Sequence, residues 1–238
     1  MNYIRPEREL TGDRWAEKHR HGRNFAMPQR ERTGHAQSDR AAKTAAWTKS
    51  LTRAIAFAEA RQAKVIGVSG VSSGAGTSVV AEGLAQIYSE FDRRILLVDA
   101  STVTLSRDVV PSAEAVPDLS ALSTAVTNKY SRVDLSDPRM TLPPNSEFFR
   151  YVFELALTQF EAIVVDLPSA AGEAGRPAPA FLAVGPACNS LFLVCVTGRT
   201  TRSEVQQCLA SCKISGANVE GILLNDFRLP ASALLSES

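Results

Sequence analysis

The sequence predicts an α/β fold, a mostly parallel sheet with helices on both faces in three layers. Three observations carry this expectation. Apolar runs of strand length recur along the 238 residues, stretches of helical periodicity separate most of them, and the first run leads straight into a glycine-rich turn. Runs that are apolar throughout, rather than alternating, suit strands buried on both faces. Strands that alternate with helices favour parallel pairing, because parallel neighbours need a crossover between them.

Residues 1–37 are rich in Arg, His, Glu, Gln and Gly with few aliphatics. Such a segment cannot bury enough apolar surface to offset its ordering entropy, and a disordered polar tail is expected. His19 and His21 could bind a metal and the basic residues an acidic surface, but the interspersed Glu7, Glu9, Asp13, Glu17 and Glu31 favour a solvated linker. The folded domain is expected over 38–228. Ser38 and Asp39 form an N-cap pattern before an alanine-rich helix that runs to Gln62, with Trp47, Leu51, Ala54, Ile55 and Ala58 on one face.

Five strands are expected at 65–69, 95–99, 162–166, 190–196 and 219–225, and further helices at 78–91, 147–160 and 201–214. The first of these helices carries Val79, Val80, Leu84, Ile87 and Tyr88 at helical spacing. Between Ser101 and Pro144 the Pro, Ser, Thr and Asp content and weak periodicity suggest a long excursion, with a short strand or helix near 119–126. Residues 229–238 form a short C-terminal tail.

Bulk composition narrows the function. A hydrophobic content of 45% supports one sizeable core. The formal net charge of +1 argues against a dedicated nucleic-acid binder, which normally shows a strong basic excess. No apolar run approaches the roughly 18 residues of a membrane span, and no signal-peptide core opens the chain. A cytoplasmic location is therefore expected, with any membrane association made through a partner. Cys195, Cys208 and Cys212 could be imagined as metal ligands. The close Cys-x-x-Cys knuckle of common zinc sites is absent, which favours buried small hydrophobes.

The run from Val65 to Ser78 reads as a phosphate-binding loop that lacks its lysine. In the usual pattern backbone N–H groups cradle phosphates, a lysine reaches the β- and γ-phosphates, and the following hydroxyl ligates magnesium. Here Ser73, Gly74, Ala75, Gly76 and Ser78 keep the pattern, and Thr77 stands where the lysine belongs. Gly74 and Gly76 let the backbone approach phosphates, and the helix behind them points free N–H groups at the same place. Two apolar strands end in Asp99 and Asp166. Ligands of parallel sheets bind at the carboxyl ends of strands, the edge where the loop and both aspartates emerge. Ser78, Asp99 and Asp166 are thus the candidate magnesium ligands, with the two aspartates as candidate catalytic groups and ATP or ADP as the nucleotide.

The order of these motifs over about 45–228 resembles the bacterial tyrosine autokinases of capsule and exopolysaccharide synthesis, relatives of the MinD and ParA positioning ATPases and members of the P-loop NTPases. The segments that carry the resemblance are 68–85, Ile95-Leu96-Leu97-Val98-Asp99-Ala100, Phe160-Glu161-Ala162-Ile163-Val164-Val165-Asp166-Leu167-Pro168, 191–200 and 216–225. The resemblance implies an αβα fold, Asn225 near an adenine, a membrane chain-length or co-polymerase partner, and assembly of several copies.

The departures are equally systematic. The kinases carry a second acidic residue two positions after Asp99, where this chain has Ser101, and a Glu-x-x-Arg-x-x-Arg assembly motif that aligns with Ala46, Lys49 and Thr52. Residues 229–238 contain no tyrosine, and Tyr3, Tyr88, Tyr130 and Tyr151 are scattered. The resemblance therefore implies a nucleotide-responsive or structural relative with weak or lost phosphoryl transfer. Two alternatives stand beside it. One is an active kinase in which Arg199 or Arg202 replaces the lysine. The other is a positioning ATPase, disfavoured because Ser72 occupies the place of the MinD-type signature lysine.

Overall fold

The computed structural model describes residues 29–108, 116–137, 140, 142–172 and 176–226, with side chains from Thr44 onward. Its elements are α1 (Gln29–Ala60), β1 (Val65–Gly70), α2 (Thr77–Glu90), β2 (Ile95–Asp99), α3 (Leu119–Leu122), β3 (Thr124–Ala125), β4 (Tyr130–Asp134), α4 (Ser146–Ala156), β5 (Ala162–Leu167), α5 (Pro179–Val184), β6 (Ser190–Val196), α6 (Arg202–Ser215) and β7 (Val219–Asn225). Packing divides the chain into two units, Met1–Ala42 and Lys43–Ser238. The described part of the first is the N-terminal portion of α1. The sheet and the candidate site belong to the second.

One seven-stranded sheet has the order β3-β4-β2-β5-β1-β6-β7. Every pairing is parallel except that of β3 with β4. The five expected strands are all present. β1, β2, β5 and β6 are the central and near-central ones, buried almost throughout, which is why their sequences show no alternation. β7 lies at the sheet edge and leaves Ile222 and Leu224 exposed.

Two apolar clusters sandwich the sheet. On one face Leu51, Ala54, Ile55 and Ala58 of α1 and Val80, Ala81, Leu84 and Ala85 of α2 pack onto Ile66, Val68, Leu97, Val164 and Val194. On the other, Phe149 and Phe153 of α4, Phe181 of α5, and Cys208 and Cys212 of α6 pack onto Leu96, Val98, Ile163 and Leu193. The four cysteines are thus buried core residues.

The differences from expectation are local. α1 begins at Gln29, so Ser38 and Asp39 lie within the helix and do not cap it, and the expected tail is helical from residue 29 onward. Gln, Arg, Glu and Ala on either side are strong helix formers, and two weaker residues do not stop a helix that already propagates. Residues 1–28 and 229–238, where the two tails were expected, lie outside the described residues. The excursion after Ser101 contains β4, which the periodicity did not mark. Only Tyr130 and Val133 of its five residues are buried, with Ser131 half-buried, so its apolar signal is too short to register. The 119–126 stretch holds both a helical turn, α3, and the two-residue β3. The helix expected over 147–160 ends at Ala156 and is capped by the Asn145 side chain, which accepts from the Glu147 N–H at 2.9 Å.

The face of α1 that packs on the sheet is the one expected, and the opposite face carries Ala46 and Lys49 in solvent. Leu51 is 1% exposed. Leu51→Ala should destabilise the domain by about 2–4 kcal/mol through lost burial and a residual cavity. Lys49→Ala should change it by less than about 0.5 kcal/mol. Urea unfolding followed by circular dichroism measures both.

Candidate phosphate-binding site

β1 delivers the chain to the carboxyl edge of the sheet between β5 and β6, and the next residues must turn sharply to start α2. Gly70 ends the strand, and a Cβ there would stand 2.7 Å from the Ser72 carbonyl oxygen and 2.9 Å from Thr77 Oγ1. Only a glycine leaves room for the loop to close over it. The turn into α2 passes through Gly76 at φ 81°, a left-handed conformation that L side chains avoid, and a Cβ there would lie 2.5 Å from Asn225 Nδ2. No side chain caps α2. Its first N–H groups and the positive end of its dipole are therefore open to an anion.

The loop borders a cleft of about 860 Å³. Ser73, Gly74, Ala75, Gly76, Thr77 and Ser78 line it together with Asp166, Ser169 and Arg176. The structure thus brings together all the predicted loop residues and Asp166. Thr77 tucks its hydroxyl back over Gly70 and supplies no charge. Asn225 is not among the cleft-lining residues. Its side-chain amide donates to the Ala75 carbonyl at 2.8 Å and rests against Gly76, so it braces the back of the loop.

The two aspartates are register partners on adjacent strands, β2 and β5. Their environments differ. Asp99 Oδ1 accepts from both the N–H and the hydroxyl of Ser101, at 3.1 and 2.7 Å, and Oδ2 accepts from Arg132 Nη2 at 2.6 Å. Burial alone would raise the Asp99 pKa, but the Ser101 hydroxyl and N–H and the Arg132 guanidinium outweigh it and hold the carboxyl below its ordinary value. Asp166 is 3% exposed, and its Oδ1 has no hydrogen-bond partner among the described residues. Burial pushes its pKa up to about 6, the Ser78 hydroxyl opposes the rise, and the Asp99 charge adds to it.

Arg132 was not foreseen. It lies on the strand that the periodicity missed, opposite Leu97 in the register. Arg176, also unforeseen, lines the cleft, whereas Arg199 and Arg202 do not. Of the expected magnesium ligands, Ser78 and Asp166 line the cleft and Asp99 does not, its two oxygens being engaged by Ser101 and Arg132. A hydroxyl and one carboxylate, completed by phosphate oxygens and water, suit magnesium.

A glycine-rich loop between a parallel strand and a helix, at the carboxyl edge of an αβα sheet, defines a P-loop NTPase fold. Comparison with solved structures agrees. The kinase domain of Escherichia coli tyrosine kinase ETK matches at 20% identity over 70% of this chain and 69% of that one, with a TM-score of 0.54. The VpsO kinase domain matches at 15% identity over 81% and 98%, with a TM-score of 0.57. Septum site-determining protein MinD from Pyrococcus horikoshii OT3, complexed with Mg-ADP, matches at 17% identity over 71% and 75%, with a TM-score of 0.51. At these identities the likeness establishes the fold, that of bacterial tyrosine kinase domains and MinD ATPases. No protein-family model matches the chain, and no curated protein matches it in sequence.

The environment of Asp166 sets a pH signature. Between about pH 4 and about 6 the folded state keeps a proton that the unfolded chain has released, so stability falls as pH rises through that window. The difference between about 6 and the ordinary 3.8 corresponds to about 3 kcal/mol. Asp166→Asn should remove this loss and gain stability over the wild type on going from pH 4 to 7, as measured by urea unfolding in magnesium-free buffer.

Proposed function

We propose that this chain is a nucleotide-responsive P-loop module of bacterial exopolysaccharide or capsule biosynthesis and export, in which phosphoryl transfer is weak or lost. It acts in the cytoplasm on a membrane chain-length or co-polymerase partner. The observation that carries the reading is Thr77 folded over Gly70, a neutral hydroxyl at the position of the loop's cation in an otherwise complete phosphate cradle. The pathway and partner rest on the motif resemblance, and the tyrosine kinase domains among the structural matches support it.

Magnitudes separate binding from transfer. A charge-assisted hydrogen bond contributes roughly 1.5–3 kcal/mol, so its loss weakens phosphate binding about 10- to 100-fold without abolishing it. The same cation acting on a transition state is worth on the order of 10² to 10³ in rate. Candidate acceptor tyrosines are also poorly placed. Tyr88 and Tyr130 are buried core residues, and Tyr151 is the exposed one among the described residues.

One observation favours an active kinase as the second reading. Arg176 lines the same cleft as the loop and is a cation there that the loop itself lacks. Phosphotyrosine formation on the purified protein with ATP and magnesium separates the two. Robust labelling, at Tyr151 above all, would overturn the inactive reading.

Calorimetric titration with ADP and magnesium tests the cradle itself. The wild type should bind weakly, and Thr77→Lys should strengthen binding at least about tenfold. Absence of binding by both proteins would leave the loop a structural relic.

A further inference from the structure

Resting on the nucleotide-binding reading above, we propose that Arg176 is the phosphate-binding cation of this cleft and supplies, from the connection between β5 and α5, the side-chain charge that the loop lacks. The composition of the lining carries it. Among the described residues that border the cleft, Asp166 and Arg176 are the charged ones, and the others are apolar, glycine or hydroxyl-bearing. Thr77 is neutral, with its hydroxyl over Gly70. The Arg176 guanidinium is thus the one full positive charge that this lining offers an anion. Two further groups show a cleft built for a ligand. The first N–H groups of α2 have no side-chain cap, and Asp166 is 3% exposed with an Oδ1 that no described residue satisfies. A buried carboxylate oxygen without a donor marks the place of a further atom, be it ligand, metal or water.

Arg176 is available for that role. Among the described residues none forms an ion pair with it, and it is exposed. The charges that act on Asp166 are those of Asp99 and Arg132, so the two charged lining residues do not neutralise each other. The backbone of Arg176 is also held. Pro177 restricts the residue before it to extended conformations. Gly172, at φ 60°, leaves no room for a Cβ, which would overlap the Arg176 carbonyl oxygen. A guanidinium presented from a constrained backbone loses less freedom on binding than one on a loose chain. Its planar fork matches two phosphate oxygens at once, and it stays charged throughout the physiological pH range. Asp166 gives such a cation a second use. An ionised carboxylate in the lining repels phosphate, and an opposite charge in the same cleft offsets that repulsion.

The test is calorimetric titration of the full chain with ADP in excess magnesium. Arg176→Met should bind ADP at least about tenfold more weakly than the wild type, the loss of one charge-assisted contact. Arg202→Met removes an exposed arginine that does not line the cleft, and should stay within about threefold of the wild type. Mass spectrometry after phenylglyoxal treatment reads the contact on the unaltered protein. ADP at about four times its Kd should slow modification of Arg176 about fivefold and leave that of Arg202 unchanged. Arg176 is exposed, so its removal opens no core. If Arg176→Met nonetheless fails to fold, the phenylglyoxal footprint on the wild type decides. A smaller loss in Arg176→Met, an equal loss in Arg202→Met, or a wild-type Arg176 modified at the same rate with and without ADP overturns the inference and leaves nucleotide binding standing. Absence of ADP binding by the folded wild type overturns the nucleotide reading and this inference with it.

Discussion

Two carboxylates set side by side at the ends of neighbouring parallel strands cannot both carry bare charge in a half-buried site. The unbroken register of β2 against β5 fixes Asp99 beside Asp166, and that proximity governs the chemistry of this sheet edge. The protein resolves it asymmetrically. Asp99 is neutralised by an ion pair and two serine donors, while Asp166 is left buried with an oxygen that has no partner and a pKa well above the usual range. The two groups that sequence pattern places in one category are therefore chemically opposite, one a satisfied anion and the other a reluctant one.

The loop obeys a second constraint, that of close approach. Gly70 and Gly76 are needed because Thr77, Ser72 and Asn225 occupy the space that a Cβ would take. Asn225 sits 150 residues from Ala75, yet its amide holds the loop's carbonyl from behind. The cradle's shape is thus maintained by β7 and by backbone sterics, neither of which depends on the residue at 77. Threonine at 77 gives the loop no side-chain cation, and the forces that shape the loop do not require one.

What was legible in the sequence follows burial. The strands with continuous apolar runs, and the face of α1 defined by Leu51, Ala54, Ile55 and Ala58, could be read because their signal is the burial itself. β4 could not, because an outer strand with two buried residues carries too little apolar content to rise above its polar neighbours. With β4 went Arg132, whose role depends on parallel pairing to a strand 33 residues earlier in the chain. The start of α1 was misplaced for a different reason. Ser38-Asp39 has the chemistry of a cap, but a cap acts only where a helix must begin, and here the helix formers extend upstream to Gln29. The loop residues were found as a motif, whereas Asn225 bracing the loop and Arg176 in the cleft lining required the fold to be seen.

The departures at Thr77 and Ser101 do not have the same physical character. Thr77 is a deletion of charge, and nothing within the loop compensates it. Ser101 is a donor and is used as one, since both its N–H and its hydroxyl bind Asp99. Arg132 donates to the other oxygen of Asp99 from the neighbouring strand. A site drifting after loss of function would tend to leave its buried charges unpaired, at a cost that selection on folding would then remove by replacing the charges with apolar residues. Here Asp99 keeps its charge with a donor on each oxygen, so it carries no unpaired charge for selection on folding to remove.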